Sequence, residues 1–381
     1  MLYSPQFIIL AAANLFVVSS QGAFFLFPLF VIGHGGSKLD IGITMAAFTL
    51  AAVLCRPWVS DMIDKVGRKR SYSLGSLIAS LAPLMYLFFH GNLNHFYAPL
   101  IAVRLAHGVG FAICFTAAFT YIVDIIPKTR LNEGAGVFGL TALVGMAVGP
   151  VFAETIILHF GFSIFFLSTA GLAATGLLLH LPLPESYESV SRGSSPSFFS
   201  VLFQRRMITV TMLALLFGFG ISASSGFVSP FVAERSLAYI SVYYISYSAA
   251  AVFTRLFGGR FADRVGEERI IPFAIILAGS GLLCLIFLGG NSVLILSGLL
   301  SGCGHGFLFP CLNAMTVRSQ PVDIRGKLTG IFTGGIDAGV FIGSILLGYI
   351  GELAGFKILF AAAGVSLLTG FVIFKLRTAY D

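Results

Sequence analysis

Twelve runs of roughly 20 mostly apolar residues, each long enough to cross about 30 Å of hydrocarbon, leave this 381-residue chain few choices of fold. They lie near 5–32, 40–60, 71–89, 96–123, 135–157 and 161–181, then near 207–233, 240–259, 270–290, 292–317, 327–350 and 354–376. In lipid every backbone polar group needs an internal partner, so each run is predicted to be a helix. The expected fold class is an all-α membrane protein with about twelve transmembrane helices. The first run starts at Pro5 with no Lys or Arg before it and no small-residue cleavage site after it. It is expected to be a retained span, not a signal peptide.

Only 10% of the residues are charged, against about a quarter in a soluble domain, and their placement sets the orientation. With the N-terminus inside, the inner loops hold seventeen Lys and Arg, among them Lys65, Arg68, Lys69, Arg70, Arg205, Arg206 and Arg269. The outer loops hold Lys38, Arg235 and Lys357. This bias predicts that both termini are cytoplasmic in a multi-pass protein of a cell membrane, expected to be the bacterial inner membrane. It also accounts for the net charge of +7 without a nucleic-acid partner, so the lipid bilayer is the expected partner surface. Cys55, Cys114, Cys284, Cys303 and Cys311 fall inside apolar runs, with neither metal-ligand nor disulfide spacing. No metal and no cofactor are expected. The absence of a P-loop, a His-Glu-x-x-His motif and a nucleophile elbow argues against an enzyme.

The chain repeats itself. A shift of 199 residues lays Ala51-Ala52-Val53 on Ala250-Ala251-Val252, Arg56 on Arg255, Asp64 on Asp263, Val66-Gly67 on Val265-Gly266 and Arg70 on Arg269. A shift of about 202 puts Pro28 over Pro230. The predicted domains are a six-helix bundle over 1–181, a Ser-rich cytoplasmic linker over 182–206 and a second six-helix bundle over 207–381. Parallel six-span repeats are a transporter architecture, with the substrate site near the midplane.

The loop after the second span reads Ser60-Asp61-Met62-Ile63-Asp64-Lys65-Val66-Gly67-Arg68-Lys69-Arg70, and its counterpart runs from Gly259 through Asp263 and Gly266 to Arg269. Gly67 permits a tight turn, Asp64 sits near a helix N-terminus where negative charge is favoured, and Arg68 is placed to pair with Asp124. Both loops resemble the G-x-x-x-D-R-x-G-R-R/K signature of the major facilitator superfamily, with Ser60 in place of Gly and Glu267 in place of a base. The resemblance implies that Asp64, Gly67, Arg68 and Asp124, with Asp263 and Gly266, form a cytoplasmic gate. The bland alternative is a topology signal alone.

Arg104-Leu105-Ala106-His107-Gly108-Val109-Gly110 in the fourth span resembles the same family's R-x-x-Q-G-x-G motif, with His107 in place of Gln. A charge inside a span is a functional-site hypothesis by default. Arg104, His107 and Phe111 share a helix face; the alternative for Arg104 is snorkelling to the headgroups. Gly136, Gly145, Gly149-Pro150 and Ala153 in the fifth span resemble the family's antiporter signature, which implies export. Small residues there allow close helix packing, and the Pro bends the helix. Asp337 and His305 lie near the midplane and are candidates for proton coupling, with Glu154 a third. Asn14, Gln21 and Asn313 complete the candidate cavity residues, and nothing more specific distinguishes them.

These readings combine into a secondary transporter expected to move a small organic molecule by alternating access as a monomer, with proton-coupled efflux as the expected direction. An uptake symporter and a non-transporting receptor on the same scaffold are the alternatives. One Arg and few acids near midplane suit an anionic or neutral cargo better than a polycation.

Overall fold

The structure, a computed structural model, describes residues 3–127, 130–186, 201–237, 239–317 and 325–378. The gate candidates Asp64 and Asp263 lie outside the described residues as far as their side chains are concerned, and so do 187–200 of the predicted linker.

Nine helices among the described residues are long and apolar enough to cross a membrane. Two of the nine, Gly134–His180 and Leu328–Leu376, are about twice the needed length. Each is a hairpin, and its turn is a single glycine. Gly161 has φ 77° and ψ −178° and Gly355 has φ 81° and ψ 171°, a backbone region essentially closed to side chains with a Cβ. The packing shows the reversal. Along the first helix, Asn14 meets Thr141 and Ala23 meets Gly149, running parallel; Ser20 meets Thr169 and Ala13 meets Gly176, running antiparallel. With Ser241–Val265, whose Tyr and Ser content lowers its hydropathy, the described residues hold twelve helical segments where the sequence places spans.

The chain divides into two compact units. In the first, Ser4 caps α1 (Pro5–Ala23) by accepting from the Phe7 amide. A short 3-10 turn leads from α1 into α2 (Phe27–Gly33). Then follow α3 (Lys38–Val66), α4 (Arg68–Met85), α5 (Tyr97–Ile125) and the hairpin α6 (Leu131–His180). In the second unit come α7 (Arg205–Glu234), α8 (Ser241–Val265), α9 (Glu267–Cys284), α10 (Asn291–Val317) and the hairpin α11 (Arg325–Thr378).

Ser37–Ala46, which include the first turns of α3, group with the second unit although they precede most of the first in sequence. Gly42 packs its backbone against Ser344 and Gly348. The Lys38 amide donates to Glu352 at 2.9 Å, and its ammonium lies 3.5 Å from Glu234 and 4.5 Å from the Phe356 ring.

The repeat extends through both units. Helices α4 and α9 begin, and end, 199 residues apart, whereas the hairpin turns at Gly161 and Gly355 are 194 apart. The change falls in the loop before the fourth span of each half. It is confirmed by two close approaches: a β-carbon on Gly108 would overlap the Phe48 carbonyl, and one on Gly302 would overlap the Tyr247 carbonyl. Phe48 and Tyr247 are 199 apart; Gly108 and Gly302 are 194 apart. Outward-facing rings such as Phe88, 74% exposed, and Phe287, 77% exposed, occupy equivalent helix ends.

Candidate functional site

Arg104 is completely buried inside the first unit. Its guanidinium carbon lies 4.8 Å from the Phe48 ring centroid, 4.9 Å from Phe27 and 5.6 Å from Phe24, and the Tyr86 hydroxyl lies beside it. A cation over an aromatic face is attracted by the ring quadrupole, most strongly where water is excluded. His107, 2% exposed, stands edge-on between Phe24 at 4.8 Å and Phe48 at 5.4 Å. The three-residue spacing thus brings both polar side chains into one aromatic cage. Phe111 continues it, half-buried, 5.7 Å from Phe48.

Asn14, 1% exposed, donates to the Thr141 hydroxyl at 2.8 Å and ties α1 to the first arm of α6. Gly145, Gly149 and Pro150 are buried, with Gly145 and Gly149 against the α1 backbone around Ser19 and Ala23. Gln21 is half-buried on α1. Glu154 is 6% exposed, enclosed well before the turn at Gly161.

In the second unit His305, 8% exposed, shares a hydrogen bond between its Nδ1 and the Tyr247 hydroxyl. Phe217 meets the imidazole edge-on at 4.9 Å and Phe309 stacks at 6.2 Å. The Arg255 guanidinium lies 5.0 Å from the Phe309 centroid. Asp337 and Asn313 are half-buried. Asp337 sits between Gly335 and Gly339, which press this arm of α11 onto α7.

In the first unit, Gly67 has φ 107° and precedes α4, whose first three residues are all basic. Positive charge there opposes the helix dipole. Glu185 offsets it, accepting from the amides of Arg68 at 2.7 Å, Lys69 at 3.1 Å and Arg70 at 3.4 Å. The Arg68 side chain pairs with Asp124 at 2.9 Å, and Ser186 donates to the same Asp124 oxygen at 3.0 Å. Gly266 likewise has positive φ, 86°, and α9 opens with Glu267 and Glu268 in place of the bases, so its own side chains suit the dipole.

Glu185 and Tyr247 are absent from the residues the sequence singles out. Three consecutive bases at a helix start are a signal that an anion is needed, but its source is 117 residues away. Tyr247 is signalled by the repeat, which lays it on Phe48. Removing the cap with Glu185→Ala is expected to cost about 1 kcal/mol, and Arg68→Ala, which breaks a hydrogen bond between charged groups, about 2 kcal/mol. Thermal unfolding in detergent reads both. If Glu185→Ala left stability unchanged, the carboxylate would not be acting as a cap.

The sequence matches the Major Facilitator Superfamily over residues 9–246 and 210–380. Among curated proteins, the staphylopine export protein of Staphylococcus aureus is 23% identical, covering 88% of this chain and 87% of that protein. The quinolone resistance protein NorA of the same species is 22% identical, covering 89% of this chain and 88% of that protein. Among solved structures, the nucleoside transporter NupG (D323A mutant) superposes with a TM-score of 0.79 at 16% identity, covering 97% of this chain and 99% of that chain. These relatives are transporters and not enzymes.

Proposed function

This chain belongs to the major facilitator superfamily, and from that premise we propose that it exports a small organic molecule by alternating access, driven by protons. The export direction is carried by the glycine face of the fifth span, where Gly145 and Gly149 press against α1 and Pro150 follows. Curated relatives matching along most of their length are named for export and for drug resistance, which supports the same direction. Both termini are proposed to be cytoplasmic, and the protein is proposed to work as a monomer.

Within that reading Arg104, His107 and Phe111, with Asn14 and Gln21, are the polar and aromatic residues offered to the cargo by the first half. His305 and Asn313 are those of the second. Asp337, His305 and Glu154 are the proposed proton carriers. Asp64, Gly67, Arg68 and Asp124, with Asp263 and Gly266, are the proposed cytoplasmic gate; the Arg68–Asp124 pair is the contact that supports it.

Counterflow in proteoliposomes, screened with metabolites and drugs that raise the protein's thermal stability, tests the proposal. Exchange of at least one compound is expected, with net movement out of the cytoplasm-equivalent face under an imposed proton gradient. Accumulation in the opposite direction would convert the reading to uptake. Binding without exchange of any compound would convert it to a receptor.

A further inference from the structure

The two halves place rings at the same positions and make different chemistry from them. With offsets of 199 for the second span and 194 for the fourth, Phe48 corresponds to Tyr247, Phe111 to His305 and Phe115 to Phe309. The ring pairs are spaced alike: Phe48–Phe111 at 5.7 Å and Tyr247–His305 at 5.6 Å, then Phe111–Phe115 at 5.5 Å and His305–Phe309 at 6.2 Å. In the first half this contact is purely apolar. In the second it is a Tyr–His hydrogen bond.

The fold therefore needs two rings here and does not need them to be polar. Nor is the bond required to join the helices. Gly302 already lies against the Tyr247 backbone, and Gly306 against Thr254 and the Ala251 carbonyl. Burying a polar pair in a lipid-embedded bundle costs free energy that a Phe pair would not, so the substitution calls for another cause.

Further polar groups converge on the same place. Arg255, two turns beyond Tyr247, rests its guanidinium on Phe309, and its buried Nε has no hydrogen-bond partner among the described residues. Tyr247, Arg255 and Phe309 are half-buried, and a void of about 20 Å³, room for one water, adjoins Tyr247 on a lining that includes Phe217, Ser224 and Ser301. A helical Arg side chain leans towards the N-terminus of its helix, which aims this one at the Tyr247–His305 pair.

We propose that Tyr247, His305 and Arg255, walled by Phe217 and Phe309, form the station of the second half that binds the acidic group of a planar aromatic cargo. Arg255 supplies a forked, permanently charged donor to the anion, Tyr247 and His305 supply hydrogen bonds, and the half-buried Phe309 ring offers an aromatic face beside them. The assignment rests on the transport reading above and adds a substrate class to it.

The probes are 1-naphthoate and its neutral counterpart 1-naphthamide, titrated onto the full chain in lipid nanodiscs with empty nanodiscs as reference. Wild type is expected to bind the carboxylate about tenfold to a hundredfold more tightly, as befits charge-assisted hydrogen bonds. The double variant Y247F/H305F, which installs the Phe pair of the first half, is expected to fold with an unchanged Tm and lose that preference. Arg255→Gln is expected to lose it as well. Equal affinities in wild type, or a preference surviving in Y247F/H305F, would overturn the proposal. So would failure of the double variant to fold, because the polar pair would then be structural. Counterflow separates the two claims: exchange of a cargo with no carboxylate preference sinks the station and leaves transport standing. A carboxylate preference with no exchange of any compound leaves the station and sinks transport.

Discussion

Arg104→Met is expected to fold at least as well as wild type and to transport roughly tenfold to a hundredfold more slowly, the range spanned by losing one hydrogen bond to a charge. Replacing a buried charge by an apolar side chain of similar volume removes a desolvation cost and is often neutral or stabilising. The guanidinium is completely buried beneath three Phe rings, so stability alone gives little reason to retain it. Arg104→Lys is expected to fail almost as badly. An ammonium is a strongly hydrated point charge and reproduces neither the planar fork nor its stacking on Phe27 and Phe48. Initial rates in proteoliposomes, alongside Tm, decide the matter. Full activity in the Lys variant would show that charge without shape suffices, and full activity in the Met variant would remove Arg104 from the mechanism.

Asp337→Asn is expected to abolish gradient-driven accumulation while equilibrium exchange of the same cargo continues. Counted from the start of its span, Asp337 lies about 15 Å along it at 1.5 Å per residue. A carboxyl at that depth must be protonated, paired or hydrated. A side chain whose surroundings change during transport binds its proton with changing affinity, and that difference is what links a gradient to cargo. Asn keeps the shape and the hydrogen-bonding capacity and removes the proton. An Asn variant that still concentrates cargo against its gradient would make Asp337 structural and move the search to Glu154, which is 6% exposed.

The spans and the repeat were legible because hydrocarbon thickness imposes a length and because Asp64-x-Val66-Gly67 recurs at Asp263-x-Val265-Gly266. The cage around Arg104 was not. Its walls are Phe24, Phe27 and Phe48, three of 39 Phe, and only tertiary packing selects them. The fifth and sixth runs read as separate spans, while the structure turns between them at one residue, Gly161. Nothing local distinguishes that glycine from the other glycines of a chain that has 44. The five-residue change of offset between the halves was hidden in loop sequence, so the correspondence of Phe111 with His305 emerges only from the backbone contacts of Gly108 and Gly302.

The single-glycine turns have a consequence for biogenesis. Where two spans are separated by a loop, the first can be threaded into the bilayer and wait for the second. Leu131–His180 and Arg325–Thr378 allow no such interval, because no tether lies between their arms. Each pair is therefore expected to enter the membrane together, since a one-residue connection cannot reach across the bilayer between its arms. The orientation of one arm dictates that of the other whatever charges flank them. The same holds at Gly67, the one residue between α3 and α4, and at Gly266, between α8 and α9, so each half consists of two single spans and two pairs joined through one glycine.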